Sequence, residues 1–430
     1  MIIKNVRIYT EEKRFCSGSI EVRDGRIAAV RYGEADSQRL SQAMGQYVVD
    51  GGGCYALPGM IDMHFHGCKG RDICDLPDGR GCAASGRKIP DAGALKRKAE
   101  EIEEEAVAVY HMWQEIADYQ ASVGVTGMAG ATMTLPVDNL KRTLQYAAGF
   151  AELQKTGKAG GSRLVGINME GPFISPVRCG AQDASFILPC SEDIMSQFLE
   201  AGAGLVKVIG IAPEKEGALA LAGQGKDRVI FSLAHTDADY ETARKALEAG
   251  VCHVTHLFNG MPPWHHRLPG VVGAVLDAAA EGKELTAELI CDGLHVHPSV
   301  IRMAFRMLGE DRIVLVSDSM RAAGMPEGEY TLGGQKVVVR DLQEKGSMAV
   351  LKRDGSLAGS TASLPDCVRT AVQKADVPLE QAVAAATINP ARRLGIEREQ
   401  GMISAGKRAD ILLWDQELKQ RMVICGGKIL

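Results

Sequence analysis

Residues 57–70 read LPGMIDMHFHGCKG. The apolar run from Gly59 to Phe65 is a short strand, and His64 and His66 stand at its carboxyl end. Two residues apart on a strand, both side chains point to the same side. Whether they line an active site depends on what stands at the ends of the other strands.

Seven more strand-like runs follow. They end near Met133 (TGMAGATM), Glu170 (RLVGINME), Gly210 (LVKVIG), His235 (VIFSLAH), His256 (VCHVTH), Asp292 (TAELICD) and Asp318 (RIVLVSD). Helical patterns separate most of them. In DADYETARKALEAG, Asp237 or Asp239 is the candidate cap and Gly250 the stop. Eight strands alternating with helices define an α/β protein, a parallel (β/α)8 barrel.

Both ends of the chain have a different texture. IIKNVRIYT, GSIEVRDGRIAAV and QYVVDGGGCYALPG alternate like short strands, with Asp24-Gly25 as a hairpin turn. GMISAGKRADILLWD and RMVICGGKIL repeat that texture at the other end. The expected organisation is a small β-sandwich made from residues 1–57 and 397–430, with the barrel over 58–396. A charged insert near 76–108 interrupts the barrel. There Leu95, Ile102, Ala106, Val109, Trp113 and Ile116 follow a helical period. This reads as a lengthened barrel helix after an exposed loop, or else as a lid or subunit contact.

Composition narrows the function classes. With 46% hydrophobic and 24% charged residues, the chain is globular, and a net charge of −5 gives no pull toward nucleic acid or acidic membranes. There is no apolar leader and no run long enough to span a bilayer. Eleven cysteines are an odd number and form no CxxC pair. Cys68, Cys74 and Cys82 fit no zinc module, so a reduced, cytoplasmic location is expected.

His64, His66, Glu170, His235, His256 and Asp318 all fall at carboxyl ends of strands, the barrel face where catalytic groups gather. Any one of them alone reads as a hydrogen-bonded structural residue. Together they supply the nitrogen and oxygen donors that zinc, iron, manganese or a similar divalent ion takes. Asp318, on the last strand, is placed to act as a general base and acid.

PGMIDMHFHG resembles the first-strand signature of the amidohydrolase superfamily. NMEGPFIS, AHTDADY, THLFNGM, DGLHV, VSDSM and GMISAGKRADILLWD, in that order, resemble the N-acetylglucosamine-6-phosphate deacetylases. The resemblance implies a metal-dependent enzyme that hydrolyses the acetamide of an N-acetylated amino-sugar phosphate. Glu170, His235 and His256 would hold a first ion. His64 and His66 would hold a second, with Glu170 bridging, so one or two ions are expected per subunit. A carboxylated lysine bridges the ions in many amidohydrolases; Lys207 is the candidate, but Glu170 already supplies a carboxylate. The backbone at Asn259 and Gly260, together with His295 and Arg267, would take the phosphate. Arg267 would reach in from the other subunit of a homodimer. His265, His266 and His297 are read as surface or loop residues.

Two positions depart from the family. Where a histidine often polarises the amide carbonyl this chain has Gln182, and a second frequent histidine is Asn168. They leave room for a different acylated amino-sugar phosphate. A hydrolase of cyclic amides and a non-catalytic sugar-phosphate binder are the competing functions.

Overall fold

The computed structural model describes residues 1–33, 47–76, 92–343 and 346–430, without the side chains of 92–103. Most of the loop expected at 76–108, Cys82, and the side chains of Leu95 and Ile102 lie outside the described residues.

Eight strands form one parallel sheet: β6 (Met60–Phe65), β9 (Val125–Thr132), β10 (Arg163–Phe173), β11 (Val206–Ile211), β12 (Ile230–Leu233), β13 (His253–Val254), β14 (Thr286–Ile290) and β15 (Ile313–Val316). Every neighbouring pair in that order is parallel. Between β6 and β9 the short strands β7 (Gly67–Cys68) and β8 (Arg71–Asp72) pair as a separate antiparallel ribbon. β6 and β9 are buried along their whole length, as expected of strands covered on both faces by core and helices. At the carboxyl ends the first and last strands meet. Asp318 N donates to His64 O at 2.9 Å and His66 N to Ser319 O at 2.7 Å. Buried Asp62 adds to this seam by accepting the Ser317 hydroxyl at 2.5 Å. The architecture is a (β/α)8 barrel.

The connecting helices start and stop on local signals. Asp239, not Asp237, caps Tyr240–Ala249 by accepting from Thr242 N, and Gly250 ends it at φ 112°. In the long helix Ala92–Val123, Val109, Trp113 and Ile116 are buried, and Trp113 stacks on Phe150 of the helix Val137–Lys155 with centroids 5.9 Å apart. The carboxyl half of that helix is therefore packed as a barrel helix.

Both termini build the second β-element. β1 (Ile2–Tyr9), β2 (Phe15–Arg23), β3 (Arg26–Tyr32), β4 (Val48–Asp50) and β5 (Tyr55–Pro58) join β19 (Ile411–Trp414), β20 (Gln420–Cys425) and β21 (Lys428–Ile429) in one sheet. The β2–β3 hairpin turns at Asp24 (φ 48°) and Gly25 (φ 74°), the paired positive φ that a tight hairpin needs. β5 sits between β1 and β19, so the chain start and chain end are bonded to the same strand. The sheet closes over its own core, in which Ile3, Ile8, Ile20, Ala56, Ile411 and Ile424 are fully buried.

A small antiparallel sheet follows β15: β16 (Gly328–Leu332), β17 (Gln335–Asp341) and β18 (Ser347–Leu351). Nothing in the strand-and-helix alternation announces it. It carries Leu332, and just beyond it Leu357 and Ala358, to the mouth of the barrel.

Candidate metal centre and active site

The strand ends bring the six expected residues together. Glu170 Oε1 lies 2.9 Å from His235 Nε2, 2.8 Å from His256 Nε2 and 3.5 Å from His64 Nε2. Glu170 Oε2 lies 3.4 Å from His66 Nε2. Asp318 Oδ1 lies 3.1 Å from His66 Nε2 and 3.5 Å from His64 Nε2. Two trios have donor atoms within 4.8 Å of one another: His64 with Glu170 and His256, and His64 with His66 and Asp318. His64 is common to both, whereas His235 joins through Glu170.

All four histidines are turned the same way. The Nδ1 atoms bond to Glu288 Oε2 (2.7 Å, His64), Ala131 O (2.9 Å, His66), Arg178 O (2.7 Å, His235) and Asn259 O (3.1 Å, His256). Carbonyl and carboxylate oxygens only accept, so each Nδ1 carries its hydrogen and each Nε2 is turned toward the carboxylates of the centre. His64 Nε2 and Asp318 Oδ1 are buried and have no hydrogen-bond partner. Buried polar atoms are rarely left so. Imidazole nitrogens and carboxylate oxygens converging this closely fit a divalent cation, which would replace the hydrogens between them.

The backbone is bent to achieve this. His235 (φ 42°), His256 (φ 28°) and Asp318 (φ 48°) all occupy the left-handed region, which side chains with a Cβ avoid. Such strain persists where surrounding structure imposes it, and it clusters at functional sites. Gly260 shows the same crowding: at φ 64°, a Cβ there would sit 3.0 Å from His235 Nδ1.

The charges favour ionised carboxylates. Burial alone would raise Glu170, but His235 and His256 beside it hold it well below the usual carboxylate range. Asp318 is likewise held low against its burial by His66 and His64. Burial alone would lower His64, yet Glu288, Glu170 and Asp318 raise it to about 10.

The remaining expected residues divide. Gln182, Asn259, Gly260 and His295 line the cavity above the centre, opposite an apolar wall of Met133, Leu332, Leu357 and Ala358. Gln182 is already engaged: its Nε2 donates to Glu170 Oε2 at 2.6 Å and its Oε1 accepts from Thr134 N. His295 Nδ1 is held by Asp292 Oδ2 at 2.7 Å, which raises the imidazole against the effect of burial. Arg267 is exposed on the loop before the helix Gly270–Ala280, outside its own chain's cavity, and makes no ion pair among the described residues. Its neighbours His265 and His266 are exposed too, and His297 caps the helix Pro298–Leu308. Lys207 stands at the amino end of β11 beside Lys226 and Arg228, away from the centre.

Asn168 does not face the cavity. It is fully buried beneath the centre, where Nδ2 donates to Met63 O at 3.2 Å and Glu288 Oε1 at 3.1 Å. Glu288, His253 and Asp292 are the functional neighbours that sequence reasoning missed. The available signal was a lone glutamate inside the apolar strand TAELI.

A sequence model of the amidohydrolase family matches residues 55–430, and the chain belongs to that family. Its full-length relatives are more specific. It is 31% identical over 430 residues to the N-acetylglucosamine-6-phosphate deacetylase of Bacillus subtilis, covering 100% of this chain and 96% of that one. It is 30% identical over 435 residues to the N-acetylgalactosamine-6-phosphate deacetylase of Escherichia coli, covering 100% and 98%. Among solved structures, a mutant N-acetyl-D-glucosamine-6-phosphate deacetylase from Mycobacterium smegmatis, in complex with N-acetyl-D-glucosamine-6-phosphate, superposes with a TM-score of 0.79 at 28% identity. That match covers 100% of this chain and 98% of the other.

Among the described residues no helix is long and apolar enough to cross a membrane, and none of the described cysteines is exposed or in a disulfide.

Proposed function

We propose that this protein hydrolyses the acetamide of N-acetylglucosamine 6-phosphate, giving glucosamine 6-phosphate and acetate. The observation that carries the reading is the convergence of the Nε2 atoms of His64, His66, His235 and His256 on Glu170 and Asp318, in a chain related over its full length to deacetylases of this class. Glu170, His235 and His256 hold the first ion, and His64 and His66 the second. Zinc, iron and manganese all suit these donors. When bound, a divalent ion brings the pKa of coordinated water from about 15.7 to about 7 and polarises a carbonyl.

The chain's own residues supply the rest. Asp318, kept ionised in the free site, takes the proton of the attacking water and returns it to the departing sugar nitrogen. The second amide hydrogen on Gln182 Nε2 orients the acetyl carbonyl while the first stays on Glu170. The apolar wall takes the methyl group. The phosphate lies against the Asn259 and Gly260 backbone and the His295 ring, and receives Arg267 from the partner subunit of a homodimer. That placement suits an exposed arginine with no ion pair among the described residues. We place the enzyme in the cytoplasm, and divide the chain into a terminal β-domain (1–57 and 397–430) and a catalytic barrel (58–396).

The galacto epimer is a second candidate, because its deacetylase from Escherichia coli is about as similar as the gluco-specific relative. The test is acetate release from both 6-phosphates and from unphosphorylated N-acetylglucosamine, after loading with zinc, iron or manganese. Turnover that requires the phosphate and favours the gluco epimer is expected. Absence of turnover in metal-loaded protein would overturn the reading.

A further inference from the structure

Below the metal centre lies a second buried polar cluster that the reaction does not use. Glu288, in the middle of β14, is fully buried, and its carboxylate accepts from four groups. These are His64 Nδ1 at 2.7 Å, Asn168 Nδ2 at 3.1 Å, His253 Nε2 at 3.1 Å and the backbone N of His256 at 3.2 Å. His253 is fixed in turn by Thr286 Oγ1 at 2.6 Å. A carboxylate this deep is costly unless its lone pairs are satisfied, and here four donors satisfy them. Three of those donors hold Glu288; the fourth is the ring that Glu288 holds.

We infer that Glu288 is a positioning residue that fixes His64 as an Nε2 ligand, so that occupancy of the His64–His66–Asp318 trio depends on it. His64 differs from the other three histidines. They are oriented by backbone carbonyls, which no side-chain change removes, whereas His64 is oriented by a side chain alone. Without the carboxylate, the buried His64 ring keeps its Nδ1 hydrogen facing no acceptor, or moves that hydrogen to Nε2. Either change weakens it as a ligand. Asn168 then has a physical role: an amide here donates to Glu288 and to Met63 O together, holding the carboxylate level with the His64 ring.

The inference rests on the site being a metal centre, and metal binding tests it independently of substrate. The metal-free protein is titrated with zinc in competition with a chromophoric chelator, resolving stepwise dissociation constants, beside Glu288→Gln and Asn168→Ala. The wild type is expected to take two ions. Glu288→Gln should weaken the ion at His64, His66 and Asp318 about 10- to 100-fold, the usual effect of losing an outer-shell partner, and the ion at Glu170, His235 and His256 by a clearly smaller factor. Asn168→Ala should shift the same constant by a smaller factor, which keeps the test open if Glu288→Gln does not fold. Unchanged constants in both variants would overturn the inference, as would equal weakening of both ions or a single ion in the wild type. A protein that binds two ions as expected but releases no acetate would sink only the substrate assignment.

Discussion

Gln182 Nε2 donates to Glu170 Oε2 at 2.6 Å while its Oε1 accepts from Thr134 N, so one amide ties the central carboxylate to the end of β9. Gln182 is 2% exposed. Gln182→Leu should cost about 1–3 kcal/mol for each buried group left unsatisfied, read as a lower melting temperature, together with a fall in kcat. A variant with unchanged melting temperature and a raised KM alone would mean that the amide serves only the substrate.

Asp318→Asn keeps the shape and one acceptor oxygen of the side chain but removes the base. Turnover should fall by about 10²–10⁴-fold, the range for a positioned acid–base group, with at least one ion retained in metal analysis. Retention of wild-type turnover would remove Asp318 from the proton-transfer role.

Arg267 offers a test of shared sites. Arg267→Ala and Asp318→Asn subunits, each poorly active alone, can be unfolded together and refolded as a mixture. If each site takes its arginine from the partner, half of the dimers are hybrids with one complete site, and activity returns to about a quarter of wild type, as two-fold symmetry dictates. If Arg267 serves its own chain, no site regains both groups and mixing restores nothing.

The terminal sheet carries a pH prediction independent of the metal centre. Glu21 accepts from Arg23 Nε at 2.8 Å and from both Arg31 Nη atoms at 3.2 Å. Burial would raise its carboxyl, but the two guanidinium groups lower it below the usual value. A folded-state pKa below the unfolded value, about 4.3, stabilises above that pH and is lost as pH falls through the folded value. Glu21→Gln should therefore lower the melting temperature at pH 7, and the difference from wild type should close below about pH 4. A gap that stays constant with pH would rule out the ion pairs as its cause.

Much of this architecture is legible in the sequence because its signals are local. His64 and His66 face one way because strand side chains alternate, and Asp24-Gly25 turns because those two residues tolerate positive φ. What was illegible depends on tertiary contact. Glu288 is a single charge in an apolar strand, and only the barrel places it under His64. The left-handed backbone at His235, His256 and Asp318 has no signature in those residue types. The sheet from β16 to β18 interrupts no period that a barrel requires. Asn168 reads as a change near the substrate because it lies two residues before Glu170. Alternation puts both on one face of β10, but two residues back along the strand Asn168 lies one level lower, on Glu288.

The seam between β6 and β15 also constrains how the protein is made. His64 and His66 leave the ribosome early, but Asp318 and the backbone bonds that close the ring lie some 250 residues later. β5 must wait longer still, until β19 is made. A nascent or prematurely ended chain thus carries the first two imidazoles with no base beside them and an open sheet edge at each end of the barrel, the kind of edge that recruits other chains. Hydrolytic competence therefore requires synthesis to have passed Asp318, and chains cut between β6 and β15 are expected to bind metal poorly and aggregate.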